Sequence, residues 1–146
     1  MAAVQIAVLT QAEADAAAPA LARLLPQVSS RAAPLTADRV RHVLQTPSTE
    51  VLVARREGQI VGMALLLTLT TLAGAAGYVE EVVVDESARG EHVSSALMHA
   101  LIERAAARGL HSLELTTRPA RTAANGLYQS LGFTRRETNC YRLDLA

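Results

Sequence analysis

A change of hydrophobic period along the chain constrains its fold more than any other feature of the sequence. Between residues 50 and 84, apolar side chains come in three strand-length runs that are separated by short turns. From Val93 to Ala107, apolar side chains instead recur every three or four positions, which is typical of an amphipathic helix. A meander followed by such a helix predicts a mixed α/β sandwich rather than the alternating βαβ series of a dinucleotide-binding domain.

The remaining segments supply more elements of the same two kinds. Thr10 and Glu13 have the spacing of a capping box, so Thr10 predicts the start of a helix that Pro26 ends. Thr36 predicts the cap of a second helix. The predicted helices are 10–25, 36–45, 93–107 and 121–131. The predicted strands are 4–9, 50–55, 60–71, 78–84, 112–116 and a terminal segment from residue 133 onward, with turns at 56–59 and 73–77. The resulting order, β-α-α-β-β-β-α-β-α-β, describes a single domain over residues 1–146.

The apolar content fits a folded domain with an aliphatic core. Half of the 146 residues are hydrophobic, which excludes a disordered chain. The chain has only three Tyr and one Phe, and it has no Trp. Aliphatic side chains must therefore fill most of the core.

Charge and cysteine content exclude several classes of function. Fourteen basic and fourteen acidic residues cancel, so no basic excess supports binding to nucleic acid. The single cysteine, Cys140, excludes an intramolecular disulfide and a Cys-rich metal site, and it suits a reducing, cytoplasmic setting. No apolar run approaches the ~20 residues that span a bilayer, and no signal peptide is apparent. We therefore expect neither a nucleic acid nor a membrane as partner.

The stretch from Tyr78 to Ser95, YVEEVVVDESARGEHVSS, has the features of an anion-binding site. An apolar strand ends at Asp85, and a short loop then leads through Arg89 and Gly90 to the start of a helix. The first turn of a helix offers unpaired backbone N–H groups and the positive end of the helix dipole, which together suit a pyrophosphate. An ordinary strand–loop–helix connection is the alternative interpretation of this segment alone.

A second motif about thirty residues downstream, combined with the first, resembles the GNAT superfamily of N-acetyltransferases. The family's phosphate-binding pattern, Arg/Gln-x-x-Gly-x-Gly/Ala, falls here on residues 89–94, RGEHVS. Its later motif, an Ala, then Leu-Tyr, then Leu-Gly-Phe, falls on Ala124, Leu127, Tyr128, Leu131, Gly132 and Phe133. The order of the predicted elements also matches, so the resemblance covers nearly the whole chain.

The resemblance implies a fold and an activity. The fold is a GNAT-like α/β fold, with a mixed, mostly antiparallel central sheet flanked by helices. The activity is transfer of an acetyl group from acetyl-CoA to a primary amine by direct attack, without a metal; the amine is a small amine, an amino acid or a peptide or protein amine. A non-catalytic acyl-CoA-binding sensor or interaction module of the same fold is the alternative. Homodimers are frequent in the family, although no feature of this sequence demonstrates one.

The same resemblance assigns the residues that bind the cofactor. The pyrophosphate is expected on the backbone of Arg89, Gly90, Glu91, His92, Val93, Ser94 and Ser95. The pantetheine arm is expected to lie along Val82, Val83 and Val84. Two positions depart from the family pattern, since His92 stands where the family most often has Gly and Ser94 where it has Gly or Ala. A third departure is Arg121, which stands where many members have Asn and can itself contact phosphate or pantetheine oxygen.

Catalytic roles follow from the positions in the motifs. Tyr128 is expected to protonate the leaving thiolate, because a phenol of ordinary pKa (about 10) is protonated at neutral pH. Glu80 or Glu81 is expected to take the proton of the attacking amine. Adjacent strand residues point to opposite faces, so only one of the two can face the cleft, and we favour Glu81. A metal site is not expected, since His92 and His99 share a helix face without a third ligand.

In this family the amine pocket is built mainly from the first helices, the loop between them and the ends of the sheet. The corresponding loop, Leu24–Thr36, contains no carboxylate. A polycationic antibiotic would require several carboxylates, so this class of substrate is less favoured than the other amines.

Overall fold

The computed structural model describes residues 3–30 and 33–146, and a five-stranded sheet organises the compact unit that ends at Leu115. The strands lie in chain order across the sheet, β1-β2-β3-β4-β5. Strands β1 to β4 are antiparallel neighbours, whereas β5 runs parallel to β4. Their bounds are β1 Gln5–Val8, β2 Thr49–Arg56, β3 Gln59–Thr71, β4 Gly74–Val84 and β5 Leu113–Glu114. The predicted mixed, mostly antiparallel sheet is confirmed.

In the part of the chain that the structure describes, four α-helices flank these strands along the sequence, and side-chain caps precede the first two. They are α1 Ala14–Leu24, α2 Ala37–Leu44, α3 Val93–Ala107 and α4 Thr122–Ser130. The Thr10 N–H donates to the Glu13 carboxylate at 3.0 Å, as the predicted capping box requires. The Arg39 N–H donates to Thr36 Oγ1 at 3.1 Å, which confirms the second cap. The first predicted helix is shorter than expected, because 3₁₀ turns at 11–13 and 25–27 bracket α1.

Helices pack on both faces of the sheet and bury an aliphatic core. Helices α1 and α2 share one cluster with Val51, Val53 and Met63, which point to the same face. Helix α3 lies against the opposite face, where a Cβ on Gly62 would meet Val93 and Leu97 at 3.1 and 3.2 Å. The stripe predicted for α3 is buried as expected. Aliphatic packing thus replaces aromatic rings throughout this unit.

The turn predicted at residues 73–77 is wrong, because most of it belongs to a strand. Strand β4 begins at Gly74, and Gly74 to Gly77 pair with Thr71 to Thr68 of β3. Leu72 and Ala73 alone form the tip of the hairpin, and Leu72 is fully exposed. Small residues suggest a turn in the sequence, but a ladder partner on β3 satisfies their backbone groups and keeps them extended.

The end of the chain also departs from the prediction. Strand β5 covers only Leu113 and Glu114 of the predicted 112–116, and the stretch 131–146 contains no strand. Tyr141, Leu143 and Leu145 alternate with polar residues in the sequence, but all three are exposed. Alternation indicates which side chains share a face, whereas a strand also needs a neighbour to pair with.

Residues 116–146 form a second compact unit that contains α4. Its core is a contact between two rings, Tyr128 and Phe133, which meet edge to face at 5.9 Å between centroids. The Phe133 N–H donates to the Tyr128 carbonyl oxygen at 3.0 Å and closes the end of the helix. The single domain over residues 1–146 stays a prediction.

Candidate functional site

Strand β4 contains a β-bulge at Glu81. Leu65 of β3 opposes Glu80 and Met63 opposes Val83, so two residues of β4 stand opposite the single residue between them on β3. Glu81 has a φ of +50°, a left-handed conformation that residues other than glycine rarely adopt. Such a conformation costs on the order of 1–3 kcal/mol, and it persists here because ladder pairs flank it on both sides. The bulge is therefore a strained feature that the surrounding sheet imposes.

Only a short part of β4 has β5 as its neighbour, because β5 is two residues long. The two strands pair only at Gly77 with Leu113 and at Tyr78 with Glu114. At this contact a Cβ on Gly77 would lie 2.8 Å from Leu113 Cδ1, so a larger residue there would require the leucine side chain to shift. From Val79 to Val84, the edge of β4 that faces away from β3 has no strand partner among the described residues of this unit. An extended ligand can pair with that edge in place of a strand.

On the face of the sheet that α1 and α2 cover lies a cavity of about 790 Å³. Aliphatic side chains from both helices and from β2 and β3 form most of its wall, including Leu21, Leu25, Val40, Val51, Met63 and Leu65. Arg39 and His42 of α2, and Glu81 at the bulge, also line it. The loop between α1 and α2 contributes Leu35, while residues 31 and 32 of that loop lie outside the described residues. That this cavity is the substrate pocket stays a prediction.

The carboxyl group of Glu81 has an unusual electrostatic environment. Partial removal from water raises its pKa above the ordinary value, and the charge of Glu80 raises it further. The Arg39 guanidinium acts in the opposite direction and lowers this pKa in part. Glu80 and Glu81 are both exposed residues, but only Glu81 lines the cavity. A carboxylate with a raised pKa is a stronger base than an ordinary one, which suits it to accept a proton.

The loop before α3 contains two residues with a positive φ. Gly90 adopts a φ of +80°, and a Cβ placed on it would meet nothing within 4 Å. His92 adopts a φ of +62° immediately before the helix. The first hydrogen bond of the helix joins the Ala96 N–H to the His92 carbonyl oxygen. The N–H groups of Val93, Ser94 and Ser95 therefore have no acceptor within the helix. The left-handed conformation explains why glycine is usual at the position of His92.

Charged side chains around this loop are partly paired. Glu91, which would repel an anion, forms an ion pair with Arg56. Arg89 lies 4.0 Å from Glu86 and donates to Gln27 Oε1 at 3.2 Å, and its side chain is 59% exposed. The neutralised Glu91 and the exposed guanidinium leave the start of α3 favourable for a negatively charged ligand.

In the second unit, Tyr128 is the one predicted catalytic residue. Its side chain is buried, and burial raises the pKa of the phenol while the nearby Arg121 lowers it in part. Arg121 is exposed at the start of α4, and its carbonyl oxygen accepts from Asn125 Nδ2 at 2.8 Å. The phenol is therefore protonated at neutral pH and is able to donate a proton.

Sequence reasoning located the backbone of the site better than its side chains. Within the first unit, Glu80 to Val84 and Arg89 to Ser95 lie on consecutive segments, as predicted. Arg39 and His42 of the cavity were missed, because on the sequence they belong to the polar face of a short surface helix. The neighbouring inward residues Val40 and Val43 are the only signal that could have drawn attention to them.

Two structural absences apply to the described part of the chain. Among residues 3–30 and 33–146, no helix is both long and apolar enough to cross a membrane. The same residues contain no group of three or more His, Cys, Asp or Glu side chains that could hold a metal ion.

The chain matches known proteins along most of its length. Residues 18–133 match the model of the acetyltransferase (GNAT) family. The structure is similar to that of a ribosomal-protein-alanine N-acetyltransferase from Brucella melitensis biovar Abortus, with a TM-score of 0.80 and 27% sequence identity. That likeness covers 99% of this chain and 100% of the other.

Two curated relatives match over shorter stretches. An IAA acetyltransferase of Azospirillum brasilense is 33% identical over 93 residues, which is 64% of this chain and 60% of the relative. An L-methionine sulfoximine/L-methionine sulfone acetyltransferase of Pseudomonas paraeruginosa is 36% identical over 77 residues, which is 52% of this chain and 45% of the relative. The match thus spans about half to three fifths of each of these relatives.

Proposed function

This chain belongs to the acetyltransferase (GNAT) family, and on that premise we propose that it transfers an acetyl group from acetyl-CoA to a primary amine. The bulge at Glu81 is the observation that carries the proposal. It lies on β4 beyond the two residues that pair with β5, and Glu81 lines the cavity on the α1 and α2 face. Glu81, whose pKa is raised, thus lies beside a strand edge that suits an extended ligand and beside a cavity that suits a small ligand.

The residues at the start of α3 fit the diphosphate of the co-substrate, which supplies the reactive acetyl thioester. The N–H groups from Gly90 to Ser95 would hold the diphosphate, supported by the positive end of the helix and by Arg89. The open space over Gly90 allows a close approach, and pairing with Arg56 keeps Glu91 from repelling the anion. The edge formed by Val82, Val83 and Val84 would hold the extended arm, and Arg121 would supply a further contact.

Each proposed catalytic residue has a matching physical property. Glu81 accepts the proton of the attacking amine, because it lines the cavity and partial removal from water raises the pKa of its carboxyl group. A backbone N–H at Val82 or Val83 polarises the thioester carbonyl. Tyr128 gives its phenolic proton to the leaving thiolate, so that the C–S bond breaks as the C–N bond forms.

The proposal includes three broader expectations. The amine is a small amine, an amino acid or a peptide or protein amine. The single cysteine suits a reducing cytoplasm, so we place the protein there. A homodimer is the oligomeric state to test, because it is common among proteins of this family.

Thioester turnover with a panel of amines tests the activity. We expect acetyl-CoA to raise the melting temperature of the protein and at least one amine to release free thiol above background. A protein that acetyl-CoA stabilises, but that releases no thiol with any amine, would be an acyl-CoA sensor or interaction module instead. That result would overturn the enzymatic proposal.

Tyr128→Phe tests the general acid directly. We expect kcat to fall by about 10²-fold or more, because the variant cannot protonate the thiolate, while the affinity for acetyl-CoA stays close to wild type. Tyr141→Phe is the matched control, since that ring is exposed, and it should leave kcat unchanged. An unchanged kcat in Tyr128→Phe would remove Tyr128 from the mechanism.

A further inference from the structure

The walls of the cavity beside Glu81 are suited to an apolar body of modest size. Its volume of about 790 Å³ falls within the range of small-molecule sites, which is about 300–1,000 Å³. Leu21, Leu25, Val40 and Met63 lie on the face that the sheet shares with α1 and α2, and each is buried. Aliphatic walls favour an aliphatic or thioether side chain and disfavour a sugar or a polyamine, whose polar groups would lose their hydration there.

Arg39 differs from the other arginines of the first unit. Those of the described residues contact protein oxygen atoms through their side chains, namely Arg23, Arg41, Arg55, Arg56, Arg89, Arg104 and Arg108. No carboxylate of the described residues forms an ion pair with Arg39, although its side chain lines the cavity. A guanidinium offers two parallel N–H groups that match the two oxygens of a carboxylate.

Arg39 and Glu81 thus give the cavity one cationic and one anionic group. The two are near enough for the charge of Arg39 to act on the Glu81 carboxyl group, and both line the same space. Building on the proposed function, we propose that the substrate is a free α-amino acid with an apolar side chain, whose carboxylate binds Arg39 while its amine faces Glu81.

Other amines fit this arrangement less well. A simple alkylamine would leave Arg39 without an anionic partner. A peptide with a free N-terminal amine would place a neutral amide carbonyl where the carboxylate of an amino acid would lie. A polycation would meet one carboxylate and the like charge of Arg39. A free α-amino acid carries its amine and its carboxylate on one carbon, which matches two opposite charges on the wall of one small cavity.

Three compounds of the same carbon skeleton test the substrate class. L-Leucine, L-leucinamide and 3-methylbutylamine differ in having a carboxylate, an amide or no substituent next to the amine. We expect kcat/KM of the wild type to favour L-leucine by about 10- to 100-fold, which is the range for loss of a charge-assisted contact. Arg39→Gln should remove this preference by lowering kcat/KM for L-leucine alone, and Arg39→Lys should restore part of it.

Comparison of the variants cancels differences in the intrinsic reactivity of the three amines. Arg41→Gln is the matched control, because Arg41 lies on the same helix but pairs with Asp15 and Asp38 and does not line the cavity. Arg41→Gln should leave the ratio of kcat/KM for L-leucine to kcat/KM for 3-methylbutylamine unchanged. Equal use of L-leucine and 3-methylbutylamine by the wild type, or a ratio that Arg39→Gln does not alter, would overturn the assignment.

Binding measurements separate this inference from the proposed activity. Calorimetric titration of L-leucine and L-leucinamide into the CoA-bound protein reports the role of Arg39 without any turnover. Binding of L-leucine that depends on Arg39, without acetylation of any amine, would uphold the ligand class and overturn the activity. Acetylation of L-leucinamide as fast as L-leucine, in wild type and Arg39→Gln alike, would uphold the activity and overturn the ligand class.

Discussion

Two glutamates of the central sheet, Glu50 on β2 and Glu81 on β4, have opposite electrostatic surroundings. The Glu50 side chain is 15% exposed and accepts from Arg104 Nε at 3.1 Å, and Arg108 lies 3.3 Å away. These guanidinium groups lower its pKa, with the hydrogen bond from Arg104 as the largest cause. Glu81 has no ion-pair partner among the described residues, and partial burial raises its pKa. The anionic form of the glutamate side chain is thus stabilised at position 50 and destabilised at position 81.

The backbone differs in the same sense as the charge. Glu50 lies in a regular ladder opposite Leu66, whereas Glu81 lies in a bulge with a left-handed φ. A residue that is strained and whose charge is unfavourable decreases the stability of the fold, while one that is relaxed and paired increases it. The comparison indicates that Glu50 joins β2 to α3, and the strained, unpaired Glu81 fits its proposed role as the general base. Three predictions test this contrast.

The largest expected effect is on turnover. Glu81→Gln should lower kcat/KM by about 10²- to 10⁴-fold, because the amide cannot accept the proton of the amine. In the wild type, kcat/KM should rise with pH through a pKa above the ordinary glutamate value, and the variant should lose this limb. Glu80→Gln and Glu50→Gln are the controls and should stay near wild type. Equal losses in Glu80→Gln and Glu81→Gln would contradict the assignment of the base.

The next effect is on stability. Glu50→Gln should lower the free energy of unfolding by about 1–2 kcal/mol at pH 7, after allowance for the partial exposure of Arg104. The folded-state pKa of Glu50 is lowered, so its contribution is present above the unfolded pKa of about 4.3 and is lost as pH falls through the folded value. Urea unfolding of the wild type and of Glu50→Gln at pH 7 and pH 3 measures the difference in their free energies of unfolding, and this difference should be smaller at pH 3. A difference that does not shrink at low pH would show that the ion pair is not its source.

The smallest effect comes from backbone strain. Glu81→Gly should raise the free energy of unfolding by up to about 1 kcal/mol, since glycine adopts a positive φ without strain. Glu57, in the β2–β3 turn, has a similar φ of +52° and provides the matched control. Glu57→Gly should gain similar stability and keep its activity, whereas Glu81→Gly should gain stability and lose activity. A loss of stability in Glu81→Gly alone would mean that its side chain supports the sheet.

Much of the fold was predictable because it follows from local patterns. Thr10 and Thr36 cap helices through contacts three residues away, and the stripe of α3 is visible in its sequence. The family was predictable from two short motifs, and the match over residues 18–133 confirms it. The misplaced turn at 73–77 and the absent terminal strand share a different cause. Both depend on which backbone lies alongside, and single-chain patterns do not report that.

The candidate site was predictable only in part. The loop that leads through Gly90 is marked by its motif, because backbone donors at a helix start require a particular spacing. Nothing near Glu81 marks a bulge, since no glycine or asparagine stands there to signal a positive φ. Arg39 precedes Glu81 by more than forty residues, and only the packing of α2 on the sheet brings both to one cavity.

The sequence by itself determined the alternation of elements, the aliphatic core, the caps and the motif that precedes α3, because each depends on residues close together in the chain. The tertiary structure alone decided which glutamate lines the cavity, where β4 bulges and where its pairing with β5 ends. These properties depend on desolvation, on the charge of Arg39 and on ladder register. All three are set by groups distant in the chain that folding brings into contact.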